Sequence, residues 1–281
     1  MIPVLMRIGP LTIYSYGLMM ALGFIAADIV VMLECRRRQI PTDYASSLVL
    51  WAAIAGLAGA RLLDIANNLG AYLADPKTML LSGSGFVWYG GLIGGILAAA
   101  FVSRRYGVRF LTTADIAAPA LAIGQALGRV GCQLSGDGDW GLPSKLPWAM
   151  AYPHAIVGWN AQTVLKLDSQ GNLVSGFYPG VRVQPAPVYE TILYLAVFAV
   201  LWSMRRRVQA EGRIFYLYLV LAGASRFLVE FVRVNPRVFL GLTEAQIVAA
   251  VMIVLGTAAL ALGGHRQTVT DSQREAVRAW H

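Results

Sequence analysis

Charge is scarce in this chain. Of its 281 residues only 14% are charged and 57% are hydrophobic, whereas a soluble domain carries roughly 25% charged residues. That shortage excludes an ordinary water-soluble domain and marks an integral membrane protein. Cysteine is nearly absent too. Cys35 and Cys132 are the only two, too few for a disulfide framework. There are three histidines, His154, His265 and His281, and none lies in an apolar run. A histidine base or metal site buried in the membrane is therefore excluded. No CxxC, HExxH or P-loop pattern occurs, and neither a metal nor a cofactor is expected. The net charge of +8 would suggest nucleic acid in a soluble protein. Here the placement of the basic residues accounts for it, and no nucleic-acid partner is expected.

What is abundant is apolar sequence in long runs. A spanning helix needs about 20 largely apolar residues. Seven candidates fit, at about 14–34, 45–66, 86–103, 113–134, 188–204, 214–233 and 244–264. Lipid cannot satisfy a free backbone, so spans are helices or closed barrels. The runs are continuous rather than alternating, which predicts an all-α integral membrane protein of seven transmembrane helices. The first run precedes Arg36, Arg37 and Arg38 instead of following a basic stretch. It reads as a retained span, not a cleaved leader.

Orientation follows from arginine and lysine. The connections 35–43, 104–112 and 205–213, with the tail from 265, carry 13 basic residues; the opposite set carries 6. The positive-inside rule then places the N-terminus outside and the C-terminus inside. The expected division is helices one to four in 1–134, a small periplasmic head in 135–187, helices five to seven in 188–264, and a cytoplasmic tail in 265–281. A turn or hairpin is expected at 167–176, a flexible stretch at 82–85 and a short helix or disorder in the tail.

Four basic residues remain within or at the ends of the spans: Arg61, Arg129, Arg226 and Arg233. Such charges are costly in lipid and usually face a polar cavity. Arg226, Glu230 and Arg233 share one helix face at i, i+4 and i+7. They are either an ion cluster that ties helices together or part of a ligand site. Arg129 stands among Gly124, Gly128 and Gly131, which allow close helix packing or room for a ligand near the backbone. Guanidinium groups bind phosphate oxygens through paired donors. In a membrane the abundant phosphate belongs to lipid, so a phospholipid headgroup site is expected there. Arg61 and Asp64 read as a local salt bridge. Glu190 either caps its helix or points into the same cavity. Asp28 and Asp115 have no evident role.

These residues fall in motifs that resemble the prolipoprotein diacylglyceryl transferase family. "YSYGLMMALGF" (14–24) resembles its first helix, with Tyr16 at the family tyrosine. "GARLLD" (59–64) is similar to its second-helix arginine motif at Arg61. "YGGLIGG" (89–95), with Gly90 and Gly91, resembles its His-Gly-Gly-Leu-x-Gly segment. "GRVGCQLSGDGDWG" (128–141) resembles its Gly-Arg-x-Gly-Asn-Phe-x-Asn-x-Glu-x-x-Gly signature. "QPAPVYE" (184–190) and "SRFLVEFVR" (225–233) are similar to its helix-five and helix-six motifs.

The resemblance implies an enzyme of the bacterial inner membrane, multi-pass, with a periplasmic head. Its implied reaction moves diacylglyceryl from phosphatidylglycerol to the lipobox cysteine thiol of a prolipoprotein and releases glycerol phosphate. The implied partners are phosphatidylglycerol, the prolipoprotein signal peptide and membrane lipids. Arg129 and Arg226 are expected to hold the phosphate. Tyr16, Arg61, Gly90, Gly91, Glu190, Glu230 and Arg233 are expected around the substrate. Departures concentrate on the presumed base. The family histidine is Tyr89, the signature Asn-Phe is Cys132–Gln133, its second Asn is Ser135 and its Glu is Asp137. The histidine of the helix-five motif is Gln184, and a helix-six tyrosine is Ala222. Tyr89 is a poor base at its ordinary pKa of about 10 unless an arginine lies beside it, so Asp137 and Asp139 are alternative acceptors. Cys132 is either a packing residue or an activated thiol. Without catalysis, the same scaffold would bind or move lipid.

Overall fold

The computed structural model describes residues 1–9, 11–77, 85–160, 163–164, 180–208 and 210–262. The expectations for 167–176, for most of 82–85 and for the tail lie outside the described residues. So do His265 and His281.

Seven long helices occupy the seven apolar runs. They are α1 Ser15–Arg38, α2 Thr42–Asn67, α4 Trp88–Arg105, α5 Phe110–Ser135, α6 Ala186–Met204, α7 Arg213–Glu230 and α8 Glu244–Leu262. A short helix, α3 Leu69–Ala74, follows α2. Two small antiparallel hairpins depart from the all-helical expectation. One pairs β1 Val4–Ile8 with β2 Leu11–Tyr14, and the other pairs β3 Arg237–Phe239 with β4 Leu242–Thr243. The first precedes α1 and the second lies between α7 and α8, and neither stretch carries an apolar period long enough to flag it.

Five helices, α1, α2, α5, α6 and α8, are long and apolar enough to cross a membrane. The other two fall short for a readable reason. Helix α7 carries Arg213, Arg226 and Glu230, while α4 holds four glycines and ends in Arg104 and Arg105. Both instead lean on an antiparallel partner, α4 on α2 and α7 on α8. The α2–α4 seam is built from missing side chains. A Cβ on Gly90 would overlap the Gly59 carbonyl, and one on Gly94 would overlap that of Ala55. Small residues let two backbones touch, which is how helices associate in lipid without a hydrophobic drive.

Helix α5 is the most buried of the five. Ala114, Ala118, Ala122 and Ala126 recur every fourth residue and are all buried. The last three pack against Tyr194, Val197 and Leu201 of α6 and Ile214, Tyr218 and Ala222 of α7. Another face of α5, with Ile116 and Ala120, meets α1 and α2 through Val30, Val31, Tyr44 and Leu48. The helix therefore stops where three others can surround its last turns. It ends at Gly136, whose φ is +63° and where a Cβ would strike Ala155; glycine alone fits that left-handed stop.

Beyond α5 a small head has its own core. Trp140, Tyr152 and Trp159 cluster in tilted and edge-on contacts with ring centroids 5.1–5.6 Å apart, in one core with Val164, Val181 and Val183. Burial pushes the Tyr152 hydroxyl up to about 12, and it donates to Gln133 at 3.0 Å.

At the opposite end of α6, a second polar layer joins the helices. Buried Glu34 of α1 accepts from Arg37 at 2.7 Å and from Arg205 at 2.9 Å. The Arg205 guanidinium also lies 3.0 Å from the centroid of the Trp202 ring. Asp115, which had no evident role in the sequence, accepts the Gly212 and Phe215 N–H groups at 2.7 and 3.0 Å. It caps α7 from a neighbouring helix and satisfies donors that α7 cannot pair itself.

Candidate active site

Three arginines and three acids converge where α5, α6, α7 and the head meet. Glu190, in the second turn of α6, is 1% exposed and is the hub. Its Oε2 takes Arg129 Nε at 2.9 Å and lies 3.5 Å from Arg233 Nη1; its Oε1 takes Arg226 Nη1. Arg226 also reaches Glu230 at 3.1 Å. From the head, Asp139 accepts Arg233 Nη2 at 2.5 Å and Arg129 Nη1. The i, i+4, i+7 pattern thus yields one half of the cluster, and α5, α6 and the head supply the rest.

The backbone holds the head against these helices. Leu142 N–H donates to the Val232 carbonyl at 2.7 Å, and Gly141 N–H to that of Gln184 at 2.8 Å. A side chain at 141 would overlap the Val232 carbonyl. Glycine there lets the strand leaving α5 pass between the chain entering α6 and the chain leaving α7. That passage delivers Asp139 to the arginines.

The three arginines are not equivalent. The Arg233 side chain is 5% exposed, while Arg129 and Arg226 are 26% and 22% exposed. Arg233 meets three acids, Asp139, Glu190 and Glu230, while Arg129 and Arg226 meet two each and stay part-exposed. Next to Arg129 on α5, a Cβ on Gly128 would meet nothing within 4 Å. Gly124 and Gly131 serve packing instead. Gly124 faces Gly23 of α1, and Gly131 admits Tyr16 and Met19. Tyr16 thereby stands within the electrostatic reach of Arg129, Cys132, Asp137 and Asp139.

The two head acids behave differently. Burial acts to raise Asp139, but Arg233 and Arg129 outweigh it and hold the carboxyl well below the usual range. Asp137 has no such pair. Burial pushes it up and the charge on Asp139 pushes it further. Sequence reasoning offered both as proton acceptors; of the two, Asp139 is the carboxylate bonded to the arginines. The glycines at 136 and 138, both with positive φ, turn the loop so that alternate acids face opposite demands. Cys132, Asp137 and Asp139 each bring one donor atom within 4.8 Å of the others, but Arg129 and Arg233 already occupy Asp139. Cys132 is buried, with Arg129 Nη1 3.8 Å from its sulfur, as a packing residue at a helix end would be.

The remaining predicted residues lie on the α2–α4 side. Gly90 and Gly91 face α2 across the glycine seam. Arg61 donates to the Gly85 carbonyl at 3.1 Å and lies over the Phe86 ring, 5.2 Å from its centroid. Asp64 takes the Tyr72 hydroxyl at 2.6 Å and the Asn68 amide at 3.0 Å. The group on the Tyr89 hydroxyl is a carboxylate, Glu244, and not the arginine that sequence reasoning invoked. Glu244 escaped notice because an acid opening an apolar helix is an ordinary cap-region residue. Its partner is 155 residues away, and no local pattern connects them.

Comparison with known proteins agrees with this arrangement. Residues 3–262 match the family model described as prolipoprotein diacylglyceryl transferase. Among curated relatives, the phosphatidylglycerol–prolipoprotein diacylglyceryl transferase of Methylococcus capsulatus is 34% identical over 278 residues, covering 95% of this chain and 97% of its own. That of Geobacter sulfurreducens is 32% identical over 275 residues, covering 94% and 96%. That of Clostridium tetani is 30% identical over 257 residues, covering 90% and 94%. With the arginine cluster in place and similarity along nearly the whole length, the chain belongs to the prolipoprotein diacylglyceryl transferase family.

Proposed function

We propose that this protein transfers diacylglyceryl from phosphatidylglycerol to the lipobox cysteine of a prolipoprotein, with Arg129 and Arg226 as the phosphate clamp. One observation carries the reading. Two part-exposed arginines from different helices converge on one buried carboxylate, Glu190. Glu190, Asp139 and Glu230 balance their charge and hold the guanidinium groups in place. A lipid phosphate competes for their part-exposed donors. As the thiolate sulfur attacks the glyceryl carbon, the C–O bond to phosphate breaks and negative charge grows on the departing glycerol phosphate. Donors already aimed at that charge stabilise it without reorganising. Tyr16 lies within the electrostatic reach of Arg129 from α1, and Arg233 and Glu230 keep the clamp rigid. Arg61, Gly90 and Gly91 belong to the wall formed by α2 and α4.

We further read all seven long helices as spans, with the N-terminus and the head, 135–187, on the outer face and 265–281 in the cytoplasm. The excess of basic residues in alternate connections supports this topology. It puts the arginine cluster on the side where prolipoproteins emerge.

The test is transfer itself. The full-length protein in phosphatidylglycerol vesicles is given a lipobox peptide, and the peptide mass is followed. A gain of one diacylglyceryl group is expected. Lipid binding with no gain in peptide mass overturns the enzyme reading in favour of a lipid-binding or lipid-moving protein.

A further inference from the structure

We infer that Tyr89 and Glu244 form a proton relay in which Glu244 is the terminal acceptor of the thiol proton. The inference rests on the transferase reading above and deepens it. The Tyr89 hydroxyl donates to Glu244 Oε1. The two residues come from the second position of α4 and the first position of α8, helices that pack against different partners.

Both ends of this bond are held by backbone. Tyr89 precedes the Gly90–Gly59 contact, and Val87 N–H donates to the Ala60 carbonyl at 3.1 Å. The Trp88 ring stands edge-on to Tyr89 at 5.2 Å. Glu244 sits inside a reciprocal cap. The Gln246 side chain accepts the Thr243 N–H at 3.1 Å, and the Thr243 hydroxyl accepts the Gln246 N–H at 3.2 Å. This is the capping box, and the helix N-terminus it creates favours an anionic carboxylate. Glu244 is the charged group acting on Tyr89. The elements packed on α8 contribute Arg237 of β3, which bonds the Gly241 carbonyl at 2.6 Å, and Arg226 and Glu230 of α7, which are held in the arginine cluster.

Architecture alone gives this bond little purpose. Tyr89 is 39% exposed and Glu244 is exposed, so water would satisfy either group, and such a bond adds little stability. Chemistry gives it one. A free thiol has a pKa near 8.5, and tyrosine alone accepts no proton at neutral pH. With Glu244 attached, Tyr89 need never become a strong base. The S–H bond breaks, its proton moves to Tyr89 Oη, and the Tyr89 proton moves to Glu244 Oε1. Tyrosine stays neutral, Glu244 becomes the acid, and the thiolate attacks the lipid carbon. The transfer runs uphill by about four pKa units, and consumption of the thiolate draws it forward. Exposed Glu244 then returns the proton to water.

The test uses the full-length protein in phosphatidylglycerol vesicles with a lipobox peptide, from pH 5.5 to 9.5. Glu244→Gln still accepts the Tyr89 hydrogen bond but cannot take its proton. At pH 6.5 it should lower kcat by about a hundredfold with KM unchanged. The deficit should close as pH passes the thiol pKa, near 8.5. Tyr89→Phe with Glu244→Gln should be no worse than either alone, and Tyr89→His should restore turnover in the Glu244→Gln background. Wild-type kcat in Glu244→Gln, or a deficit constant across pH, overturns the relay while leaving the transferase intact. A wild-type protein that transfers nothing overturns both. Matching melting curves guard against misfolding, and if Glu244→Gln does not fold, Glu244→Asp with and without Tyr89→His carries the same comparison.

Discussion

Helix α6 carries a buried ion cluster at each end, and the two are instructive side by side. Glu190 in its second turn and Glu34, which meets Arg205 just beyond its last turn, are each 1% exposed. Each glutamate faces three arginines. Around Glu34, Arg37 and Arg38 come from the same helix, at i+3 and i+4, and Arg205 is pressed on Trp202. Around Glu190, every arginine comes from another element: α5, α7 and the segment after α7. The first cluster closes one end of the helix assembly by mostly local pairing. The second gathers charge from separate helices and leaves two guanidinium groups part-exposed. Buried charge alone does not mark a site; convergence of part-exposed charge does.

The sharpest break between the ends is in activity. Arg129→Ala is expected to lower transfer by about a thousandfold, within the 10²–10³ loss typical of an electrostatic donor and the added loss of its phosphate contact. Arg205→Ala should leave the turnover of each folded molecule near wild type while lowering yield. Equal loss of turnover in both variants erases the distinction. Stability comes next. Glu190→Ala removes the carboxylate that ties three elements together, leaving Arg129, Arg226 and Arg233 to Asp139 and Glu230 alone, and should cost about 3–5 kcal/mol, read as the midpoint of denaturation in detergent. Glu34→Ala should cost less, about 1–3 kcal/mol, because Arg37 and Arg38 lie on the same helix as Glu34 and can turn to water without parting two elements.

A pH series separates the ends further. The folded-state pKa of Asp139 is depressed, so its contribution is fully present above its unfolded value, about 3.9, and is lost as pH falls below it. The melting gap between wild type and Asp139→Asn should be constant from pH 8 to 5 and shrink below about pH 4. A gap that widens with acid contradicts the Arg129–Asp139–Arg233 pairing. Last and smallest are the glycines. Gly90→Ala should cost about 1–3 kcal/mol by forcing α2 and α4 apart. Gly128→Ala, in open space, should shift stability by less than about 1 kcal/mol. A large loss at Gly128 places it in the packing rather than beside the clamp.

Much of this was legible in one dimension, though unevenly. The seven apolar runs predicted seven helices within a few residues of their observed ends, because lipid forces every backbone group to pair within its own segment. The stranded arginines 129, 226 and 233 were visible for the same reason, since a charge among apolar residues stands out. Asp137 and Asp139 were both seen but not told apart, because two acids one residue apart look alike until the glycines at 136 and 138 turn the loop. Arg61 and Asp64 were read as partners of each other; the bonds that Tyr72 and Asn68 make to Asp64 were not foreseen. Glu244 was not weighed at all.

What the sequence determined by itself is therefore the class and the cast: a helical membrane protein, the positions of its long helices, and the arginines too costly to be idle. Solvent sets these through composition and local period, which need no knowledge of neighbours. Only the tertiary structure decided the pairings. Glu190 became the hub of three arginines, Asp139 their second acid, Asp115 a cap for another helix and Tyr89 the partner of Glu244. Each joins groups from distant parts of the chain, and close packing of glycine and alanine surfaces decides which of them meet.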